Sequence, residues 1–192
     1  MKTKLLFLLS LFITITISSQ HEYEPNDKNP FGLLNPDAPK ETADYAELIG
    51  ECDCKSISKN KDGEWATPVD MVWRFKYIMN GIGVQDETIK SDFKNSGSIR
   101  QYNKDSAQWY VHYYTNVSAV SILPSWSGSA RKGNEINLYK DQTAPNGMAG
   151  NYKIRFYDIS EKGFKWLGAW VTKDESFVYE NWKIECVKRN EG

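Results

Sequence analysis

From residue 50 onward, apolar and polar side chains alternate with a period of two in one segment after another. In 71–80, Met71, Trp73, Phe75, Tyr77 and Met79 share one face while Val72, Arg74, Lys76 and Ile78 share the other, as in a strand buried on one side. The same alternation links Trp109, Val111 and Tyr113; Tyr152, Ile154 and Phe156; Phe164, Trp166, Gly168 and Trp170; and Trp182, Ile184 and Cys186. Between these runs stand Asn60-Lys61-Asp62-Gly63, Asn80-Gly81, Asn95-Ser96-Gly97, Lys104-Asp105-Ser106, Lys132-Gly133-Asn134 and Glu161-Lys162-Gly163. Gly and Asn supply the positive φ that tight hairpins require, so each strand should pair with the next. About ten strands result by this rule. A meander of that length leaves two exposed edges unless it curls shut, so the pattern predicts an all-β fold, an antiparallel up-and-down barrel.

The residues before the strands differ. Asp37-Ala38-Pro39 ahead of 40–49 offers a cap and a first-turn proline, and Tyr45, Leu48 and Ile49 recur at helical spacing, so one short helix should precede the barrel. Residues 21–36, with Pro25, Pro30, Gly32 and scattered charges, read as a flexible lead-in. Residues 1–20 open with Lys2 and Lys4, continue through an apolar run from Leu5 to Ile17 and end in Ser18-Ser19-Gln20, which is the layout of a secretory signal peptide. No cysteine near that junction could carry a lipid, and the apolar run is shorter than the roughly 20 residues of a spanning helix. The expectation is therefore a secreted or periplasmic protein with one domain over 37–192 and no membrane span.

Charge adds an exclusion. Of 24 basic residues, loss of Lys2 and Lys4 leaves 22 against 25 acidic ones, a net charge of about −3 with His neutral. Nucleic acid is not an expected partner, because its recognition needs a clustered positive face.

Leu48-Ile49-Gly50-Glu51, Trp73-Arg74-Phe75, Val84-Gln85-Asp86-Glu87, Ser98-Ile99-Arg100-Gln101-Tyr102, Gln108-Trp109-Tyr110-Val111 and Asn181-Trp182-Lys183-Ile184-Glu185 resemble, in their order, the uncharacterised bacterial lipocalin-like barrels of the calycin type. The resemblance covers nearly all of the chain after residue 37 and implies a fold, not a reaction, because that family has no common activity. One departure stands out: such barrels carry a tryptophan two residues after the first-strand glycine as a floor plug, and here that position is Cys52.

Three cysteines in an exported chain suggest one disulfide. Cys52 and Cys54 share a face of the first strand, and Cys186 lies on the last strand, its neighbour in a closed meander. Cys186 should bond Cys54, with Cys52 as the alternative. A redox pair of Cys52 with Cys54, or a thiolate metal site, is the competing reading. Since the histidines are His21 and His112 alone, no metal and no cofactor is expected.

Candidate chemistry centres on the interior. Arg100 and Tyr102 share one strand face, Gln85 and Glu87 another; facing inward, they would meet Trp73, Tyr77, Trp109 and Trp166. An aromatic cavity with a few placed polar groups fits a small apolar or carboxylate-bearing ligand, with Arg100 as the carboxylate clamp. The competing reading pairs Arg100 internally with Asp86 or Glu87 and fills the barrel with its own side chains. An enzymatic alternative uses Tyr102 or Glu87 for proton transfer, and a third reading has the chain act as an accessory protein through loops 116–133 and 141–150, with an exposed patch at Trp126 as its sign. His112, out of phase with Trp109 and Tyr113, reads as an outward-facing histidine rather than a haem ligand.

Overall fold

The computed structural model describes residues 21–189; the leader reading of 1–20 lies outside them. Ten strands form one closed antiparallel barrel: β1 (Gly50–Ser58), β2 (Val69–Ile78), β3 (Gly83–Lys90), β4 (Ser96–Asn103), β5 (Gln108–Thr115), β6 (Ser125–Gly128), β7 (Ile136–Thr143), β8 (Ala149–Ser160), β9 (Gly163–Thr172) and β10 (Val178–Lys188). Each strand pairs with its sequence neighbours, and β1 pairs with β10 to close the ring. The period-two reading of the sequence describes this wall directly. Cys52, Cys54, Met71, Trp73, Phe75, Trp109, Phe156, Phe164, Trp166 and Ile184 are all buried in one core.

At the β1–β10 seam, Cys54 stands directly across from Cys186, and the two are joined by a disulfide. Cys52 is a buried free thiol, and burial pushes its pKa up to about 11. Directly across from Cys52 on the other neighbour, β2, lies Trp73, whose ring packs against Phe75, Phe156 and Phe164 at 5.3, 5.7 and 5.4 Å.

The helix before β1 is a 3-10 helix, Lys40–Leu48, and not an α-helix capped by Asp37. Pro39 stands at its N-cap with no side-chain cap, and the Asp37 backbone N–H donates to Asn35 Oδ1 at 2.8 Å. The reason for the tighter winding lies in the spacing. Thr42, Tyr45 and Leu48, three residues apart, eclipse one another in a helix of three residues per turn, and all are fully buried. This face caps one end of the barrel. Tyr45 meets Trp109 edge to face at 4.9 Å, and Asp44 accepts from the Trp109 Nε1–H at 2.9 Å and from the Arg131 backbone N–H at 2.8 Å.

Residues 21–36 run over the same end and are held there by hydrogen bonds. Tyr77 N–H donates to Phe31 O, Tyr23 N–H to Asn80 Oδ1, and Asn35 N–H to Gly81 O. Gly81 is required: its φ is +79°, and a Cβ there would lie 2.4 Å from Leu33 O. The other end, where the β1–β2, β3–β4, β5–β6, β7–β8 and β9–β10 turns gather, is the open mouth.

Burial at the capped end and in the interior has a measurable consequence. Tyr45, Tyr77 and Tyr152 are each pushed up to about 12 from an ordinary 10.0, in each case chiefly by burial. The unfolded phenols ionise from pH 10 while the folded ones stay neutral, so this share of stability is complete below pH 10 and is lost as pH rises toward 12. Urea midpoints measured across that window should fall steeply, and Tyr45→Phe should flatten the fall. A midpoint that stays level to pH 12 would contradict the burial of these phenols.

Candidate functional site

Inside the barrel, between the aromatic floor and the mouth, lies a cavity of about 270 Å³. Its lower wall is formed by Trp73, Phe156 and Trp166, and its upper wall by Tyr113, Trp126 and Tyr152. The walls are mainly apolar, with polar groups at two levels.

The lower level is an ion pair. Arg100 on β4 and Asp86 on β3 are 3% and 2% exposed, and Arg100 Nη1–H donates to Asp86 Oδ1. Asp86 also accepts from Trp73 Nε1–H at 2.6 Å. Rings of Tyr45, Phe75 and Phe156 surround the guanidinium at 5.2, 5.2 and 5.7 Å from Cζ. Burial, the largest influence, would lower the Arg100 pKa, but the charge and hydrogen bond of Asp86 together with Tyr45 outweigh it, and the net direction is upward. The pair is electrically closed: Arg100 keeps its charge, and Asp86 balances it.

The upper level holds Lys90 from β3 and Lys140 from β7, both turned inward. Lys90 Nζ lies 3.9 Å from Asp92 Oδ2 and over the Trp182 ring at 5.6 Å. Lys140 Nζ sits over the Trp126 ring at 4.6 Å and has no carboxylate partner among the described residues. Gln142, Ser96 and Thr88 complete the polar collar, in which Thr88 Oγ1 and Ser96 Oγ hydrogen bond at 2.7 Å. The cavity therefore presents a neutralised floor, aromatic walls and an unpaired cation near the entrance.

The residues singled out from the sequence divide into three groups. Trp73, Arg100 and Trp166 line the cavity. Tyr77, Tyr102 and Trp109 belong to the capped end, where Tyr102 packs on Trp109 at 5.5 Å. Gln85 and Glu87 face outward, a correction to the interior placement: Gln85 Nε2–H donates to Tyr114 Oη, and Glu87 lies 3.9 Å from Arg74. Parity on β3 follows Asp86, because a buried guanidinium demands a buried counter-charge. The proton-transfer reading loses Glu87 as an interior group. Trp126, expected on an exposed loop, points inward from β6, and 141–143 are not loop but the end of β7, paired with 149–151. His112 lies outside, Nδ1 within 2.7 Å of Ser125 Oγ. Sequence reasoning missed Lys140, although the run Ile136, Leu138, Lys140 and Gln142 carries the signal once β7 is extended to its true length.

A larger concavity of about 910 Å³ runs along the outer wall of β1, β2 and β10. It is walled by charges paired across strands, Lys55 with Asp70 and Lys165 with Asp158, and shares Met71 and Lys90 with the lining of the interior cavity.

No protein-family model matches the chain, and no curated protein matches it. Among solved structures, Rv2717c from M. tuberculosis is similar, with a TM-score of 0.52 at 10% identity over 80% of this chain and 100% of that one. The S-type phycobiliprotein lyase CPES from Guillardia theta superposes with a TM-score of 0.46 at 7% identity, over 77% and 92% of the two chains. The first likeness is one of fold, a closed up-and-down barrel of lipocalin-like architecture.

Proposed function

We propose that this protein is an exported barrel that binds a small, mainly apolar ligand bearing a carboxylate, with the carboxylate at the mouth and the apolar body among the tryptophans. The observation that carries the reading is Lys140: an inward-facing ammonium without a carboxylate partner among the described residues, set over Trp126 above apolar walls. An anion at that point completes a charge pair in a partly desolvated site, where a charged hydrogen bond contributes roughly 1.5–3 kcal/mol. Arg100 is not the clamp, because Asp86 already neutralises it. The cavity, at about 270 Å³, lies near the small end of ligand sites and limits the ligand to a compact acid. Export is supported by the basic and apolar start of the chain and by the disulfide, a bond that persists in oxidising compartments.

Fluorescence titration with 2-naphthoate tests this, with 2-naphthylmethanol as the uncharged comparison. The acid should bind more tightly than the alcohol, and Lys140→Met should weaken the acid by about tenfold or more while leaving the alcohol unchanged. Equal binding of the acid to Lys140→Met and to the unaltered protein would remove the mouth carboxylate from the proposal.

A further inference from the structure

Large apolar side chains exposed on this protein are distributed unevenly between the two ends of the barrel. At the mouth, Phe93 on the β3–β4 turn is 81% exposed, Val117 and Ile122 on the β5–β6 loop 65% and 84%, and Phe177 on the β9–β10 turn 55%; Met148 on the β7–β8 turn joins them at 48%. At the capped end the comparable side chains among the described residues are Leu33, Met79 and Ile82, none above 46%, and Val187 on the outer wall of β10 beside the β8–β9 turn, at 67%.

Local structure does not account for this. Phe93 has φ +60°, a conformation that favours Gly or Asn and is costly for a bulky residue, yet its ring buries almost nothing in return. Neither 116–124 nor 144–148 contains an acidic or basic residue, while Phe93 stands between Asp92 and Lys94 and Phe177 follows Lys173, Asp174 and Glu175. At the same end, Trp65 on the β1–β2 connection and Tyr179 at the start of β10 bracket Lys59, whose Nζ lies 5.2 and 4.3 Å from their ring centroids. Apolar tips with Trp, Tyr and Lys at the same end share the composition of a lipid–water interface.

We infer that the mouth of the barrel docks on a lipid surface, with Phe93 and the 117–123 loop entering the acyl region. The apolar points sit on separate turns around an opening, an arrangement that a fluid surface can meet at every point. A rigid protein partner would need a continuous complementary face. The 116–124 loop carries no charge and Lys94 beside Phe93 is paired with Asp92, so apolar burial holds the contact, not attraction to anionic lipid. The inference shares with the proposed function only the position of the cavity entrance, which would then open toward the lipid, where apolar acids partition.

The test is flotation of protein beginning at His21, which keeps the helix and every strand, with phosphatidylcholine vesicles. Binding should be present at 0.5 M salt, and the double variant Phe93→Asn, Ile122→Ser should partition about tenfold or more weakly, with Ile82→Ser at the capped end unchanged. Thermal midpoint and 2-naphthoate affinity in solution should be the same for all forms, which separates this test from that of the ligand site. Equal partitioning of the double variant and the unaltered protein, or binding abolished by salt, would overturn the inference. So would a dimer in sedimentation equilibrium that the double variant loses, which would assign the tips to a second copy of the chain.

Discussion

Asp86→Ala should destabilise the barrel by about 3–5 kcal/mol, the cost of leaving a buried charge without its partner. Arg100 cannot escape the loss. It is 3% exposed, enclosed by Tyr45, Phe75 and Phe156, and its Nε already lacks a hydrogen-bond partner. The substitution also takes the acceptor from the Trp73 indole N–H. Urea unfolding measures the effect, and the double variant with Arg100→Met supplies the decisive comparison. Removing both charges eliminates the uncompensated group, so the double variant should be more stable than Asp86→Ala alone, a coupling that independent residues would not show. If Asp86→Ala lies within 1 kcal/mol of the unaltered protein, the buried pair is not what organises this end of the cavity.

The same pair shows where sequence reading stops. Strands with aromatic anchors on one face, such as β2 and β9, reveal their inward side through alternation alone. On β3 the anchors disagree: Val84 is fully buried while Ile89, of opposite parity, is 44% exposed. Polarity would then turn the acidic Asp86 outward, and only the guanidinium on the neighbouring strand reverses that choice. The inward set on β4 was readable because Arg100 and Tyr102 share parity, but whether Arg100 faced a ligand or a counter-ion depends on the register between β3 and β4, which sets Val84 across from Arg100 and is invisible in one sequence. The β7–β8 hairpin was obscured differently. Its ends, 141–143 and 149–151, are polar or small, so pairing continues through residues that carry no hydrophobic signal, and Lys140 was lost with them. The 3-10 helix was legible as a helix, but its winding follows from the three-residue spacing of Thr42, Tyr45 and Leu48 against the barrel end.

Loss of the disulfide should have an effect of similar size through a different route. Cys54 and Cys186 are 132 residues apart, so the bond confines nearly the whole barrel sequence in the unfolded chain, and the chain-entropy estimate for such a loop is about 5 kcal/mol. Few domains exceed roughly 15 kcal/mol of total stability, so the bond represents a large fraction of it. It acts at the one strand pair, β1 with β10, that no hairpin connects; every other pair is joined by a turn that keeps its strands close after unfolding. Cys52 is no ready substitute. Its thiol is buried and pushed up to about 11, so little thiolate exists near neutral pH to attack the bond. The double variant Cys54→Ala, Cys186→Ala should therefore unfold at a urea concentration lower by about 2 M, given ordinary urea sensitivity. Thiol labelling of the unaltered protein should find one reactive group, and only after unfolding. Equal midpoints for the two proteins would mean that β1 and β10 hold together without the bond, and that the seam is closed by Trp73, Phe164 and Ile184 packing beneath it.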